Sequence, residues 1–468
     1  MNRRHVTHAL LLVLALLTFA RGAWLVLHHP LLGLANSFDE VRYSSCFDLA
    51  PLRPGVPAAQ FSPQAPLRLF TFHDAFPADV CVWTSDLLFT APVAYAWKLG
   101  EQFGASTVHS IHKLGAWRLL LWCLAIGWFT RAWLVRGRPD AACALLVCAG
   151  AIFFDPANTL LFNTWYAEPS ATFGLFLCAV GALLTIQSTQ RGMWLITAAG
   201  AALLAGSKMQ HLVLPLLLGL ACIVAGRRTA RAAAHALLLG GVLGASFSAA
   251  AALRPASHGV ALANRGNFVL MVLLPNSAHP AETAARIGLD ADCASRAGPH
   301  GIWALPQPIE NSCPSIATVS SLRAWGALLD EPAALARALA RIPDWLLPWV
   351  SSELGLVEGE NYAHLPATQW SFDRLLGADP RSATLLLILP WLVLVAVLAL
   401  RSGPLARCCA AMCAVTALEV PLVSMFGDGF SDFAKHSQLA VVASLSSLSV
   451  PIAWLAQWLT RADAAGRD

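Results

Sequence analysis

The chain has 468 residues, of which 57% are hydrophobic and only 12% are charged, and its formal net charge is +4. This composition excludes an ordinary soluble enzyme and indicates an integral membrane protein, in which spans of about 20 apolar residues cross a hydrocarbon layer about 30 Å thick. The small, scattered positive charge offers no surface for nucleic acid. We therefore predict an all-α polytopic membrane protein with one membrane domain over residues 1–468.

Apolar runs divide the chain into about ten predicted transmembrane helices. The first run, residues 9–27, follows Arg3 and Arg4 and is more typical of an anchor than of a signal peptide, although the small residues at 18–23 leave cleavage open. The others are residues 117–134, 141–154, 170–186, 193–205, 212–225, 233–253, 383–400, 408–426 and 439–459. Two long polar loops, residues 28–113 and 254–381, are expected to contain short helices, at about 87–97 and 318–342.

The distribution of Arg and Lys predicts the orientation, because basic loops stay in the cytoplasm. With the N-terminus inside, the inner loops contain most of the Arg residues, whereas the short outer loops contain only Lys208 and Lys435. Both termini are then cytoplasmic, as an even number of spans requires. The two long loops are then periplasmic, and the protein lies in the inner membrane of a bacterium.

Polar residues gather at the predicted periplasmic ends of the spans. Asp39, Glu40 and Arg42, here called the acid corner, directly follow the first span. The remaining candidates lie between later spans and are Asn163, Trp165, Tyr166, Glu168, Lys208, His211, Asp428, Asp432, Lys435 and His436. Charges beside hydrocarbon mark either a functional site or a structural ion pair, and convergence on one side of the membrane favours the functional interpretation.

Structural alternatives exist for several of these residues. Glu168 followed by Pro169 is typical of a helix start, and Asp428 between two glycines is typical of a turn. The side chain of Lys208 could extend to the lipid headgroups. His211 is more typical of a hydrogen-bonded polar residue than of a metal ligand, because no second ligand stands nearby in the sequence. If residues 428–436 are helical, Asp428, Asp432, Lys435 and His436 share one face.

Motifs for nucleotide hydrolysis, zinc proteolysis and serine esterase chemistry are absent from the sequence. The outer face instead offers carboxylates, cations and aromatic rings. That set suits a base that takes a proton from a hydroxyl group, a cation that stabilises a phosphate leaving group, and a surface on which a sugar stacks.

The segment Ser37-Phe-Asp-Glu-Val-Arg42 resembles the acidic motif of the GT-C superfamily, the polytopic glycosyltransferases that use lipid-phosphate-linked sugars. Those enzymes carry the motif in the first extracytoplasmic loop, and the long second loop and the number of spans are also similar. The segments at residues 163–169 and 427–436 look like parts of uncharacterised bacterial membrane proteins of this kind. No Asp-x-Asp motif such as the metal-using members carry accompanies the acid corner, so no cofactor is expected and a metal ion, though possible, is not indicated.

The resemblance implies transfer of a sugar from a polyprenyl-phosphate donor to a glycan or lipid-linked acceptor at the periplasmic face. Asp39 would be the base, with a proton affinity that the nearby hydrocarbon raises and Arg42 opposes, and Glu40 would orient the acceptor. Lys208, Lys435 or His436 would hold the donor phosphate, and Trp165 and Tyr166 would form the sugar platform. A polysaccharide polymerase, a lipid-linked glycan flippase or another transporter is the alternative, and a non-catalytic scaffold stays open.

Four of the twelve cysteines lie in the long loops, where an oxidising periplasm permits disulfides. Pairing within each loop is the simplest of three connectivities. It predicts the bridges Cys46–Cys81 and Cys293–Cys313. The first of these would hold the chain shortly after the acid corner.

Overall fold

A computed structural model describes residues 3–35, 37–57, 60, 64–73, 80–188, 191–350, 355–359 and 370–465. The first part of the chain forms α1 (Arg3–Leu27), α2 (Ser37–Ser44), α3 (Leu87–Gln102), α4 (His112–Val135), α5 (Pro139–Cys148), α6 (Pro156–Thr159), α7 (Glu168–Gln187), α8 (Arg191–Ser207), α9 (Leu214–Gly226) and α10 (Arg231–Ala252). The second long loop contains α11 (Pro255–Asn267), α12 (Leu274–Asn276), α13 (Pro280–Ile287), α14 (Ala291–Ala294), α15 (Ile309–Ser312), α16 (Ser321–Leu329), α17 (Pro332–Ala340), α18 (Ile342–Leu346) and α19 (Phe372–Leu376). The last part forms α20 (Pro380–Ala399), α21 (Pro404–Asp428), α22 (Phe433–His436), α23 (Gln438–Ser446) and α24 (Ser449–Ala465).

Seven helical stretches in the described residues are long and apolar enough to cross a membrane, or eight if a bent pair counts as one span. The predicted class, an all-α polytopic membrane protein, is confirmed. The count differs from ten because α8 has only 17 residues and because α9 and α10 fall in one apolar stretch, Met209–Ala252. The bent pair, Pro139–Phe153 and Pro156–Asn163, turns by 70° at its break.

Glycines let three helices of the bundle pack closely. A Cβ atom on Gly240 or Gly244 of α10 would overlap the backbone carbonyls of Ala198 and Ala202 on α8. On the other side of α8, a Cβ atom on Gly174 of α7 would lie 2.7 Å from the backbone nitrogen of Leu204. Small residues at four-residue spacing allow such backbone approach in membranes, where van der Waals packing drives helix association. This packing fixes the ends of α7 and α8, which carry two of the candidate residues.

The long loops contain short strands as well as the predicted helices. β1 (Leu32–Ala35) pairs antiparallel with β5 (Gly355–Val357) and so joins the first loop to the second. β2 (Leu49–Leu52), β3 (Leu69–Phe72) and β4 (His109–Ser110) form an antiparallel sheet in the first loop. The helix predicted near residues 87–97 is α3, and the pair predicted in 318–342 is α16 and α17, divided before Pro332. The strands add to the short helices that the sequence predicts in these loops.

Both loops are bridged within themselves as the sequence predicts. The structure joins Cys46 to Cys81, with Cα atoms 4.9 Å apart, and Cys293 to Cys313, with Cα atoms 5.1 Å apart. Cys46 lies in the turn that follows α2, so the first bridge ties the end of α2 to the chain ahead of α3. In the chain-entropy model, closing loops of this size stabilises the fold by about 3–4 kcal/mol.

Candidate functional site

The helix α2 presents the acid corner at the end of the bundle. Asp39 and Glu40 lie in its first turn, where the positive end of the helix dipole favours carboxylates. Asp39 and Arg42 are three residues apart and therefore share a side of the helix. Arg42 Nη1 donates a hydrogen bond of 2.8 Å to Asp39 Oδ1. The acid corner is thus partly neutralised within its own helix.

A second cation reaches Asp39 from the far end of the sequence. Lys435 Nζ donates to Asp39 Oδ2 at 3.1 Å and to Asp432 Oδ2 at 2.7 Å, and its side chain is only 6% exposed. The same ammonium group lies 5.2 Å from the centre of the Tyr166 ring. Asp39, whose side chain is 22% exposed, therefore sits between Arg42 and Lys435 at the edge of solvent.

These charges determine the proton affinities of the pair. Burial would raise the pKa of Asp39, but the positive charges of Lys435 and then Arg42 outweigh burial and leave the pKa below its ordinary value. Burial would likewise lower the pKa of Lys435, but the carboxylates of Asp432 and Asp39 hold it well above its ordinary value. Asp39 and Lys435 are thus both charged at neutral pH. The sequence predicted a raised proton affinity for Asp39. This prediction is wrong, because the charge of Lys435 adds to the effect of Arg42.

The carboxyl group with a raised proton affinity is that of Glu40, the neighbour of Asp39. Its side chain is buried, and Oε1 accepts a hydrogen bond of 3.3 Å from the backbone N–H of Trp165. Burial raises the pKa of Glu40 to about 8, against the opposing effects of that N–H and of the Arg118 charge. Glu40 is therefore protonated at neutral pH and faces the protein interior, which favours a supporting role beside Asp39.

A second ion pair joins the start of α7 to the residue that follows α8. Lys208, which follows α8, contacts Glu168 at the start of α7 through Nζ and Oε1. The two side chains are 16% and 6% exposed. Lys208 is the only charged residue between two short predicted spans, which suggests that no neighbour neutralises it, but the structure gives it a carboxylate partner because α7 and α8 pack side by side. Glu168 both begins α7 and pairs with Lys208, so the helix start is not its whole role.

The segment after α21 differs from the single helix face predicted for it. Asp428 is the last residue of α21, Asp432 has a positive φ of 44°, and only Lys435 and His436 lie in the short helix α22. The turn still brings the side chains together: His436 Nε2 lies 3.8 Å from Asp428 Oδ2, and Asn267 Nδ2 donates to Asp428 Oδ1 at 2.9 Å.

His436 does not supply the cation expected of it. Burial first, and then the charges of Lys208 and Lys435, lower the pKa of His436 to about 3. The imidazole is therefore neutral at physiological pH and can interact with a phosphate only as a hydrogen-bond donor or acceptor. Of the three predicted phosphate-binding cations, Lys208 and Lys435 retain that possibility.

Two predicted binding residues, Asn163 and His211, are buried and contact only the surrounding protein. Asn163 Nδ2 donates to the carbonyl oxygens of Val26 at 2.9 Å and Leu32 at 3.1 Å, which fixes the chain between α1 and β1. His211 is buried beside Gln210, with 3.2 Å between His211 Nε2 and Gln210 Nε2. Neither side chain is open to a ligand.

The sugar platform expected from Trp165 and Tyr166 is also corrected. The Trp165 ring is fully buried, with its centroid 5.8 Å from that of Phe70 and 6.1 Å from that of Trp97. Tyr166 is 1% exposed beneath Lys435. Both rings therefore shape the floor of the site and present no open face for stacking.

Sequence reasoning missed a buried ion pair that supports this floor. Arg118 Nη2 donates to Asp86 Oδ2 at 2.6 Å, and both side chains are almost fully buried. Arg118 Nη1 also donates to the carbonyl oxygens of Leu161, Phe162 and Thr164 at 2.5–3.2 Å. The available signal was a lone Arg at the start of an apolar run, which in a membrane protein usually has a partner.

Trp303 is a second residue that the sequence did not single out. It lies in the long loop between α14 and α15, is 69% exposed, and donates from Nε1 to Ser431 Oγ at 2.9 Å. Ser431 immediately precedes Asp432, so an open aromatic ring stands beside the charged residues. Nothing in its local sequence distinguishes Trp303 from the many other tryptophans of the chain.

The fold and the site define a polytopic membrane protein with a group of paired charges at one end of its helical bundle. Residues 3–308, about two thirds of the chain, match the family described as YfdI N-terminal transmembrane domain, and the chain belongs to that family. Comparisons with curated proteins and with solved structures found no match. The family match supports the predicted membrane class over all the spans up to α10.

Proposed function

We propose that this protein is a GT-C-type glycosyltransferase that moves a sugar from a polyprenyl-phosphate donor to a glycan or lipid-linked acceptor. The reaction would take place at the periplasmic face of a bacterial inner membrane, with both termini in the cytoplasm. The observation that carries the proposal is the Asp39 carboxylate, ionised and partly exposed between Arg42 and Lys435. Its place directly after the first span is the one that the acidic motif of the GT-C superfamily occupies.

Lys435 gives the proposed site a way to couple donor binding to base strength. In the free protein its charge stabilises ionised Asp39 and so weakens that carboxylate as a base. A donor phosphate that accepted a hydrogen bond from Lys435 would share this charge. The proton affinity of Asp39 would then rise when the donor is bound, and the carboxylate would be ready to take the proton of the acceptor hydroxyl.

The other contacts of the proposed site follow from exposure and charge. Lys208 is the second candidate for the donor phosphate, since charge-assisted hydrogen bonds to phosphate are the strongest available there. Trp303 takes over the platform role, because its ring is open and lies beside the segment that carries Asp432. Burial keeps Glu40 from touching either substrate, so it acts by holding the Trp165 backbone.

The experiment is a transfer assay with purified protein in lipid nanodiscs and a radiolabelled sugar on polyprenyl phosphate. Lys208→Ala should raise the KM for the donor about tenfold or more, because loss of a charge-assisted hydrogen bond is worth about 1.5–3 kcal/mol. The KM for the acceptor should change little. Lys113→Ala, which removes an exposed lysine from the start of α4, is the matched control.

Lys208→Ala also leaves Glu168 buried without its cation, so the double variant Lys208→Ala/Glu168→Gln separates folding from binding. The double variant should fold normally and keep the high donor KM. A normal donor KM in the double variant would return Lys208 to a structural role. Absence of transfer by the wild-type protein with every polyprenyl-phosphate sugar tested would reject the proposal itself.

A lipid-linked glycan transporter is the second candidate, and the 70° break between Phe153 and Pro156 favours it. Broken spans expose backbone groups that transporters use to bind substrates. Asp155 lies at the break, where Oδ2 accepts from the N–H of Phe372 at 3.0 Å and Arg21 Nη2 lies 3.5 Å away. Movement of an intact lipid-linked glycan across a proteoliposome membrane, without sugar transfer, would favour this candidate.

A further inference from the structure

A cavity of about 360 Å³ lies among α5, α7, α21, α23 and α24, away from the charged residues described above. Its wall is mostly apolar and includes Phe176, Ala179, Met412, Val442 and Trp454. The volume falls within the range of small-molecule sites in proteins.

The charged and amide side chains of the cavity lie at one end, and the hydroxyl groups of Thr416, Ser446 and Ser449 also line its wall. That end is formed by Arg138, by the Ser402–Gly403 turn and by Gln457. Arg138 donates from Nε and Nη2 to Asp140, and Gln457 Nε2 donates to Asp140 Oδ2 at 2.6 Å. Among the described residues, Arg138 Nη1 makes no hydrogen bond. The cavity therefore has a mostly apolar interior and, at one end, a guanidinium group that pairs with Asp140 and keeps Nη1 as a donor without a partner among the described residues.

This polar end lies on the opposite side of the bundle from the acid corner. The helix α21 begins at Pro404, directly after the Ser402–Gly403 turn, and ends at Asp428 beside His436. Its 25 residues span about 37 Å, close to the thickness of a bilayer. The ligand that fits the cavity is thus amphipathic, with its polar group at the membrane surface opposite the acid corner.

We propose that the cavity binds one acyl chain of a phospholipid from the leaflet opposite the acid corner, with the lipid phosphate on Arg138 Nη1. The apolar wall matches a hydrocarbon chain, and the free guanidinium N–H matches a phosphate oxygen. Phospholipid is also the molecule that surrounds these helices at highest concentration. The bound lipid would be a structural ligand between α5, α7 and α24, and the inference does not depend on sugar transfer.

Native mass spectrometry of the purified full chain, titrated with phosphatidylglycerol, tests this. The wild type should bind one molecule more tightly than any others. Ala179→Phe, which fills the cavity from α7, should weaken that binding about tenfold or more, because the chain loses its packing contacts. Ala396→Phe makes the same change on the exposed side of α20 and should leave the binding unchanged.

The headgroup contact is tested with the double variant Arg138→Gln/Asp140→Asn, which removes both charges together. It should weaken binding of phosphatidylglycerol several-fold and leave binding of uncharged diacylglycerol as it was. Ala453→Phe on α24 fills the same cavity and replaces Ala179→Phe if that variant does not fold. Wild-type affinity in a folded cavity-filling variant would overturn the proposal. Displacement of phosphatidylglycerol by an equal concentration of polyprenyl phosphate would overturn it too, since the cavity would then belong to another lipid.

Discussion

Asp39 and Asp86 each pair with a basic side chain, yet their surroundings differ. Asp39 shares Lys435 with Asp432, has Arg42 on its other side and is 22% exposed. Asp86 contacts Arg118 in the interior and is 2% exposed. The cations hold the pKa of Asp39 below its ordinary value, whereas burial raises the pKa of Asp86 to about 6 despite Arg118.

Under the proposed function, the difference decides which of the two ion pairs is the candidate for chemistry. A reacting carboxylate must be reached by its substrate and must change its proton affinity when the substrate binds. Asp39 meets both conditions, because it lies at the solvent edge and its cations can be shared with a ligand. Asp86 meets neither, and the hydrogen bonds from Arg118 to backbone carbonyls show that its pair holds the floor of the site in place.

The largest expected effect is on transfer activity in Asp39→Asn. Asparagine has the same size but cannot accept the proton, so the proposed base is lost and kcat should fall about 10²–10⁴-fold. The thermal unfolding midpoint should stay near that of the wild type. Asp330→Asn removes an exposed loop carboxylate and is the control. Near-normal activity in Asp39→Asn would remove the base role from Asp39.

Arg118→Leu should act on stability instead. It leaves Asp86 buried without a cation and removes four hydrogen bonds to backbone carbonyls, a change that typically costs about 3–5 kcal/mol. The measurement is the free energy of unfolding in detergent with increasing denaturant. The double variant Arg118→Leu/Asp86→Leu should recover part of the loss. If Arg118→Leu unfolds like the control Arg323→Leu, a change at an exposed residue of α16, the pair does not support the floor.

A smaller effect is expected on the pH dependence of transfer in Lys435→Gln. Asp39 has a lowered pKa in the wild type, so its carboxylate stays ionised into the acidic range, and the proposed transfer should persist there. Without the Lys435 charge the pKa of Asp39 rises, and the acidic limb of the pH–rate profile should move to higher pH. Lys113→Gln should leave the limb in place. A shift toward lower pH would contradict the arrangement of charges around Asp39.

The helices and the acid corner were predictable because their signals are local. Apolar runs gave the helical class, Pro332 marked the start of α17, and the place of residues 37–42 after the first span pointed to Asp39. Pairing the loop cysteines within each loop also required only their order in the chain. Charge, hydropathy and helix-start preferences all act within a few residues and can be read from one sequence.

The contacts that assign roles were not predictable, because they join residues far apart in the chain. Nothing near Lys435 shows that it reaches Asp39, and nothing near Lys208 shows that α7 brings Glu168 against it. Trp165 lies in a segment rich in polar residues, yet tertiary packing buries it. Long-range ion pairs and the exposure of individual rings depend on how the helices pack, which the hydropathy pattern leaves open.

The smallest expected effect concerns Glu40, the neighbour of Asp39 that faces inward. Its pKa is about 8 in the folded protein against an ordinary value of 4.5, so the folded state keeps a proton that the unfolded state has released. This contribution to stability is fully present below pH 4.5 and is lost as the pH rises toward 8.

Between pH 6 and pH 7 the wild type should therefore lose about 1 kcal/mol more stability than Glu40→Gln, which does not titrate. Unfolding free energies at the two pH values measure this, with Glu310→Gln in the exposed part of the second loop as the control. Equal losses in the wild type and in Glu40→Gln would mean that Glu40 is ionised in the folded protein and that both acids of the acid corner are open to solvent.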